Sequence, residues 1–185
     1  MPRLAVFNTV SLDGYFADVN GDMAWAHRQD PEWNAFAAGN ASGDGRLVFG
    51  RVTYQMMASF WPTPMALERA PAVAEGMNRM PKVVFSRTLE EAAWNNTRLV
   101  KKDMIAEIRK LKADDGPDMV ILGSGTIVSQ LTEAKLIDEY QLVVSPIVLG
   151  KGKSMFDGVT QRLPLKRTKT MSFENGNIVL WYERG

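Results

Sequence analysis

Short apolar runs rich in β-branched residues alternate along this chain with stretches of helical periodicity, and that alternation constrains the fold more than any other feature. The runs are Leu4 to Thr9, Arg46 to Phe49, Lys82 to Ser86, Met119 to Leu122 and Glu139 to Val144. Several are apolar throughout, the pattern of strands covered on both faces. The clearest helical stretch is DMIAEIRKLKADDGP: Asp103 caps its start, Met104, Ile105, Ile108 and Leu111 share one face, and Gly116-Pro117 ends it. A second helix is predicted from about Thr126, with Ile127, Val128, Leu131 and Ala134 inward. The last stretch, LKRTKTMSFENGNIVLWYERG, alternates with a period of two and carries Asn175-Gly176, a strong hairpin signal. Strands alternating with helices and closed by an antiparallel edge predict a three-layer α/β fold, its central sheet mostly parallel with an antiparallel C-terminal hairpin. The proline-rich stretch from Trp61 to Pro81 is predicted to be irregular apart from one helix over Ala66 to Met80.

Residues 1–185 are expected to form a single domain, long enough to bury roughly 70% of the unfolded surface. With 22 Lys plus Arg against 21 Asp plus Glu there is no basic field for nucleic acid or anionic lipid, so any bound anion must be gripped locally. Cysteine is absent and histidine occurs once, which leaves no thiolate chemistry and no expected metal centre. No signal peptide and no apolar run of membrane-spanning length is legible, so the protein is expected in the cytoplasm.

In open α/β sheets ligands sit beyond the carboxyl ends of the strands, and three of those ends carry suitable chemistry. Gly50-Arg51-Val52-Thr53 opens a helix after one strand: the glycine permits close backbone approach, the helix start offers amides, and Arg51 supplies a fork for phosphate. Ser86-Arg87-Thr88 follows another strand, two hydroxyls around a guanidinium, a set suited to a phosphate monoester. Gly123-Ser124-Gly125-Thr126 follows a third and leads into a helix. Taken singly, each is a common turn; together they suit a pyrophosphate with one extra phosphate, which describes NADP better than NAD. The standard Rossmann fingerprint fails, because Val128 stands where its third glycine belongs and no acidic residue closes the next strand at Val143-Val144-Ser145.

The stretches SLDGYFADVNGDMAW, LVFGRVTYQMMASFWP, MPKVVFSRTL and VILGSGTIVSQLTEAKLIDEYQLVVSPIVLGKGKSMF resemble the dihydrofolate-reductase-like superfamily. Within it they resemble the stand-alone bacterial relatives of the C-terminal reductase domain of the riboflavin-biosynthesis deaminase-reductase. The resemblance implies an eight-stranded, mostly parallel sheet, NADPH as cofactor, a small-molecule substrate and a homodimer. Carried over by position, Gly50, Arg51 and Thr53 resemble the first phosphate-binding helix start, and Ser86 and Arg87 the surroundings of the adenosine 2'-phosphate. Gly123, Ser124, Gly125, Thr126 and Ile127 resemble the loop around the pyrophosphate and nicotinamide ribose. Leu12 to Trp25 resembles a mobile loop that closes over the nicotinamide, with Trp25 beside the substrate.

On the substrate side the same resemblance makes Asp30, five residues after Trp25, the carboxylate that supports protonation during hydride addition to C=N. Asp30-Pro31-Glu32 also reads as a helix cap followed by proline at the first helical position. Folate enzymes hold the folate glutamate with an arginine six residues before the serine matching Ser86; here Met80 stands there and Arg79 is its neighbour. Tyr54 and Trp61 are candidates for pocket wall or for core, Asp13 for a turn or for catalysis, and Lys151 and Lys153 for an anionic substrate or a solvated loop. The reading is an NADPH-dependent reductase of a small heterocyclic or carbonyl compound. The alternatives are a dihydrofolate reductase, a 5-amino-6-(5-phosphoribosylamino)uracil reductase, or an NADPH-binding module without catalysis.

Overall fold

The computed structural model describes residues 1–28 and 30–185. Its strands are β1 (Leu4–Ser11), β2 (Arg46–Gly50), β3 (Lys82–Phe85), β4 (Thr97–Val100), β5 (Met119–Leu122), β6 (Glu139–Ser145), β7 (Leu165–Ser172) and β8 (Ile178–Arg184). They form one eight-stranded sheet in the order β4-β3-β2-β5-β1-β6-β8-β7. The pairings from β4 across to β6 are parallel; β8 is antiparallel to both β6 and β7. The helices are α1 (Pro31–Ala41), α2 (Arg51–Phe60), α3 (Pro64–Arg69), α4 (Pro71–Arg79), α5 (Met104–Ala113) and α6 (Gly125–Glu133).

On one face of the sheet, Leu4, Val6, Val48, Val83 and Ile121 pack against Ile108 and Leu111 of α5 and Val128 and Leu131 of α6. The second face carries two separate apolar clusters. One joins Leu47, Phe49 and Val84 to Tyr54 of α2, Met77 of α4, Met80 and Trp94. The other joins Val143, Val179 and Trp181 to Trp33 and Phe36 of α1. This is the three-layer arrangement that the alternation of strands and helices implies.

Two parts differ from the sequence reading. β4 has only four residues, half of them polar, and its weak pattern is recognised only by its pairing with β3. The stretch after Trp61 holds two helices instead of one, because prolines reset the chain twice. The Thr63 hydroxyl caps α3 by accepting from the Ala66 amide, and Pro64 takes the first position. Pro71 cannot continue that helix and starts α4. Gly76 lets α4 lie against α1, since a Cβ there would stand 1.9 Å from the Ala41 carbonyl oxygen.

Candidate active site

β2 and β5 are neighbours in the sheet, so the turns that follow them lie side by side. They are laced together. The Ser124 amide donates to Thr53 Oγ1 at 3.0 Å, the Gly50 amide donates to Ser124 Oγ at 2.8 Å, and Ser124 Oγ donates to the Leu122 carbonyl at 3.0 Å. Thr53 and Ser124 are both buried. Their hydroxyls therefore tie one helix start to the other, where the sequence reading had them facing a ligand. Ser124 adopts a left-handed backbone, φ 58° and ψ 54°, and Gly123 has φ 57°. That geometry strains a serine, and the hydrogen bonds at both its amide and its hydroxyl hold it there.

Asn8 clamps the same turn from β1. Its Oδ1 accepts from the Gly123 amide at 2.5 Å and its Nδ2 donates to the Gly123 carbonyl at 3.0 Å. Sequence reasoning missed Asn8; the available signal was a buried amide interrupting the apolar run LAVFNTV.

Neither α2 nor α6 has a side-chain cap at its start. Two helix N-termini thus present first-turn amides next to each other at the carboxyl ends of two interior strands, the usual donor set for phosphates. Of the residues expected to hold a cofactor, Arg51, Arg87 and Thr126 are exposed, and Gly50, Ser86 and Gly123 half-exposed. Gly125 and Ile127 are buried: a Cβ on Gly125 would meet the Phe16 ring at 2.6 Å, and Ile127 belongs to the core. Ser86 Oγ accepts from the amides of Thr88 and Leu89, which shapes the turn that carries Arg87.

The loop after β1 is pinned along its first half. Leu12 donates to the Ile147 carbonyl, Phe16 to that of Lys153, and Lys153 back to that of Ala17. The Asp13 carboxylate accepts from the amides of Leu149 and Gly150 and from Ser11 Oγ. Those bonds, led by the one from Ser11, hold the Asp13 carboxyl below its ordinary range. Asp13 is thus a tie between two loops. Trp25 is half-exposed, its Nε1 donating to the Asp22 carbonyl at 3.2 Å.

Two of the predicted substrate-side residues have other partners. Tyr54 is core: it packs on Phe49 and Trp94, and its hydroxyl accepts from the Trp94 amide at 3.0 Å. It is no pocket wall, because the face of α2 that carries it turns into the sheet. Asp30 caps α1, Oδ1 accepting from the Glu32 amide at 2.9 Å, while Oδ2 accepts from the Asn175 amide at 3.1 Å. Its carboxylate joins the start of α1 to the turn between β7 and β8.

Between the two clusters on the second face the sheet is only partly covered. β1 is a central strand whose first-face residues Leu4, Val6, Asn8 and Val10 are buried, yet on the second face Ala5, Phe7 and Thr9 are half-exposed and only Ser11, at the strand end, is buried. Phe7 pairs with Leu122 on β5, also half-exposed. Phe7 packs toward Phe36 of α1, whereas Leu122 belongs with Met57 and Trp61 on the α2 side. The partly covered stretch between these helices ends at the Gly123 turn, which follows Leu122. A separate concavity of about 690 Å³, lined by Arg46, Lys82, Trp94 and Asp114, opens at the amino ends of β2, β3 and β4. There the Lys82 ammonium is already saturated by the carbonyls of Asn78, Met80 and Asn95, under the Trp94 ring at 4.4 Å.

Residues 2–179 match the model of the family described as the RibD C-terminal domain. The uncharacterized protein YyaP of Bacillus subtilis (strain 168) is 27% identical over 180 residues, covering 97% of this chain and 94% of that protein. Among solved structures, a putative riboflavin biosynthesis protein from Shewanella sp. PV-4 aligns with a TM-score of 0.75 at 26% identity, covering 99% of both chains. Dihydrofolate reductase from Enterococcus faecalis, complexed with NADP(H) and RAB-propyl, aligns with a TM-score of 0.63 at 14% identity, covering 99% of this chain and 96% of that one.

Proposed function

This chain belongs to the RibD C-terminal domain family, and from that premise we propose that it is an NADPH-dependent reductase acting on a small heterocyclic or carbonyl substrate. The observation that carries the reading is the pair of uncapped helix starts laced together by Thr53 and Ser124. Arg51 stands at one of them, and Ser86-Arg87 ends β3, the strand beside β2. This donor set fits a dinucleotide with several phosphates: first-turn amides of α2 and α6 for the pyrophosphate, and Arg87 with Ser86 for a 2'-phosphate. A likeness to a reductase whose structure holds NADP(H) adds support. When bound, such a cofactor supplies the hydride; the chain orients the two reactants and excludes water.

Titration of the purified protein with NADPH and NADH tests the reading. A clear preference for NADPH is expected, and Arg87→Ala should narrow it by weakening NADPH far more than NADH. Equal or absent binding of the two would overturn the assignment.

Reduction of dihydrofolate itself is disfavoured by the surroundings of Met80. That residue is buried in the core, and the neighbouring Arg79 is spent on the carbonyls of Ser42 and Gly43 and on Asp44. A nucleotide-binding module without catalysis is favoured by one observation, the engagement of both Asp30 oxygens by backbone amides. NADPH consumption across a panel of C=N, C=C and carbonyl acceptors separates it from the reductase.

A further inference from the structure

We propose that Asn20, in the loop after β1, is a site of spontaneous deamidation in the folded protein, whereas Asn175, in the same Asn-Gly dipeptide, is kept as the amide by a clamp on its side chain. Asparagine followed by glycine is the pair most open to this reaction, because glycine has no side chain to obstruct its own amide nitrogen. The chain has two such pairs, Asn20-Gly21 and Asn175-Gly176. Their backbones are alike: φ is 87° at Gly21 and 88° at Gly176, and each glycine amide donates to the carbonyl three residues back, that of Asp18 at 3.1 Å and that of Phe173 at 2.9 Å. The side chains differ. The Asn175 carboxamide donates to the Arg28 carbonyl at 3.1 Å and accepts from the Asn177 amide at 3.0 Å, while the Asn175 amide donates to Asp30 Oδ2 at 3.1 Å. The Asn20 carboxamide is exposed and has no partner among the described residues; only its backbone amide is held, by Asp18 Oδ1 at 2.8 Å.

The reaction closes a succinimide ring. Hydroxide removes the proton of the Gly21 amide, whose nitrogen attacks Cγ of Asn20; the N–C bond forms, the Cγ–Nδ2 bond breaks, and Nδ2 takes a proton from water and leaves as ammonia. Water then opens the ring at either carbonyl, giving aspartate or isoaspartate at position 20. Ring closure needs Cγ to swing onto the glycine nitrogen. Asn20 can do this as it stands, whereas Asn175 must first break both bonds of its carboxamide in a local opening of the hairpin turn. The product adds a carboxylate beside Asp18 and Asp22, where the Lys153 ammonium lies so close that a Cβ on Gly21 would stand 3.2 Å from it. Isoaspartate also inserts a methylene into the backbone inside the turn that Asp18 Oδ1 closes on the Asp22 amide at 2.8 Å.

Incubation of the folded protein at mildly alkaline pH, followed by peptide mapping with mass spectrometry, tests this. The peptide that holds Asn20 should convert to the acid about tenfold faster than the peptide that holds Asn175, since the second waits on a local opening. In urea that unfolds the chain the two rates should converge. Asp30→Ala, which removes one arm of the clamp, should speed conversion at Asn175 and leave Asn20 at the parent rate. Asn20→Gln should abolish acidification of the loop peptide. Equal rates in the folded protein, faster conversion at Asn175, or an Asn20 that stays intact while the unfolded chain converts would overturn the proposal. A difference that persists in urea would assign it to neighbours in sequence and overturn it as well, and an Asn175 rate indifferent to Asp30→Ala would refute the clamp.

Discussion

The hydroxyl of Thr53 accepts a hydrogen bond from the amide of Ser124 at 3.0 Å, joining two helix starts that lie 71 residues apart in the chain. Thr53→Val keeps the side-chain shape and removes the acceptor, leaving a buried amide unpaired. A stability loss of about 1–3 kcal/mol is expected by urea denaturation, together with weaker NADPH binding from the loosened turns. Unchanged stability would show that the two turns are held together by packing alone.

Ser124 combines backbone strain with two hydroxyl bonds, and substitution separates them. Glycine relieves the left-handed backbone and loses the bonds, whereas alanine loses the bonds and keeps the strain. Ser124→Gly should therefore be more stable than Ser124→Ala by about 1 kcal/mol. Thermal denaturation of the pair reads the difference directly.

Asp30 is predicted to matter for stability whatever its part in turnover. Asp30→Ala removes the α1 cap and the tie to Asn175. A loss of about 1–2 kcal/mol is expected, with faster hydrogen exchange at the Asn175 amide. Unaltered exchange there would mean that the hairpin turn is held by its own bonds.

Burial pushes the Lys82 ammonium down to about 8, below the roughly 10.4 of an unfolded lysine. Between those values the unfolded chain binds more protons than the folded one, so stability should rise with pH through this window and lose that contribution as pH falls to about 8. From pH 8 to about 9.5 the parent should gain on the order of 1–2 kcal/mol relative to Lys82→Met. Parallel pH profiles of the two proteins would show that the carbonyl cage and the Trp94 ring fully offset the desolvation.

Much of the fold was legible because local pattern and tertiary role coincide. The runs at β1, β2, β3, β5 and β6 were apolar enough to read as strands, Asp103 caps α5 as its position implies, and Asn175-Gly176 makes the hairpin turn. β4 escapes because its four residues carry too little pattern, whereas the boundary between α3 and α4 is marked in the sequence by Pro71, which the single-helix reading of Ala66 to Met80 passes over. The three strand ends were found from their glycines and hydroxyls, and the sheet order brings the turns after β2 and β5 together.

The sequence by itself determined the layered α/β fold and the positions of the three turns, since these follow from periodicity and local turn chemistry, and its longer motifs carried the resemblance to the family. Only the tertiary structure decided which atoms in those turns remain available. Thr53 and Ser124 sit where ligand-facing hydroxyls are expected, yet each satisfies a backbone group of the other's turn; Asp30 caps α1, as one of its two readings has it, and its second oxygen is held by a hairpin amide 145 residues away, which no local pattern shows. Hydrogen-bond partners distant in the chain leave no periodic trace, and a buried polar atom is claimed by whichever partner the fold brings within reach. The same reason hid Asn8 and the partly covered stretch around Phe7 and Thr9, which exists because two clusters of the second layer stop short of each other.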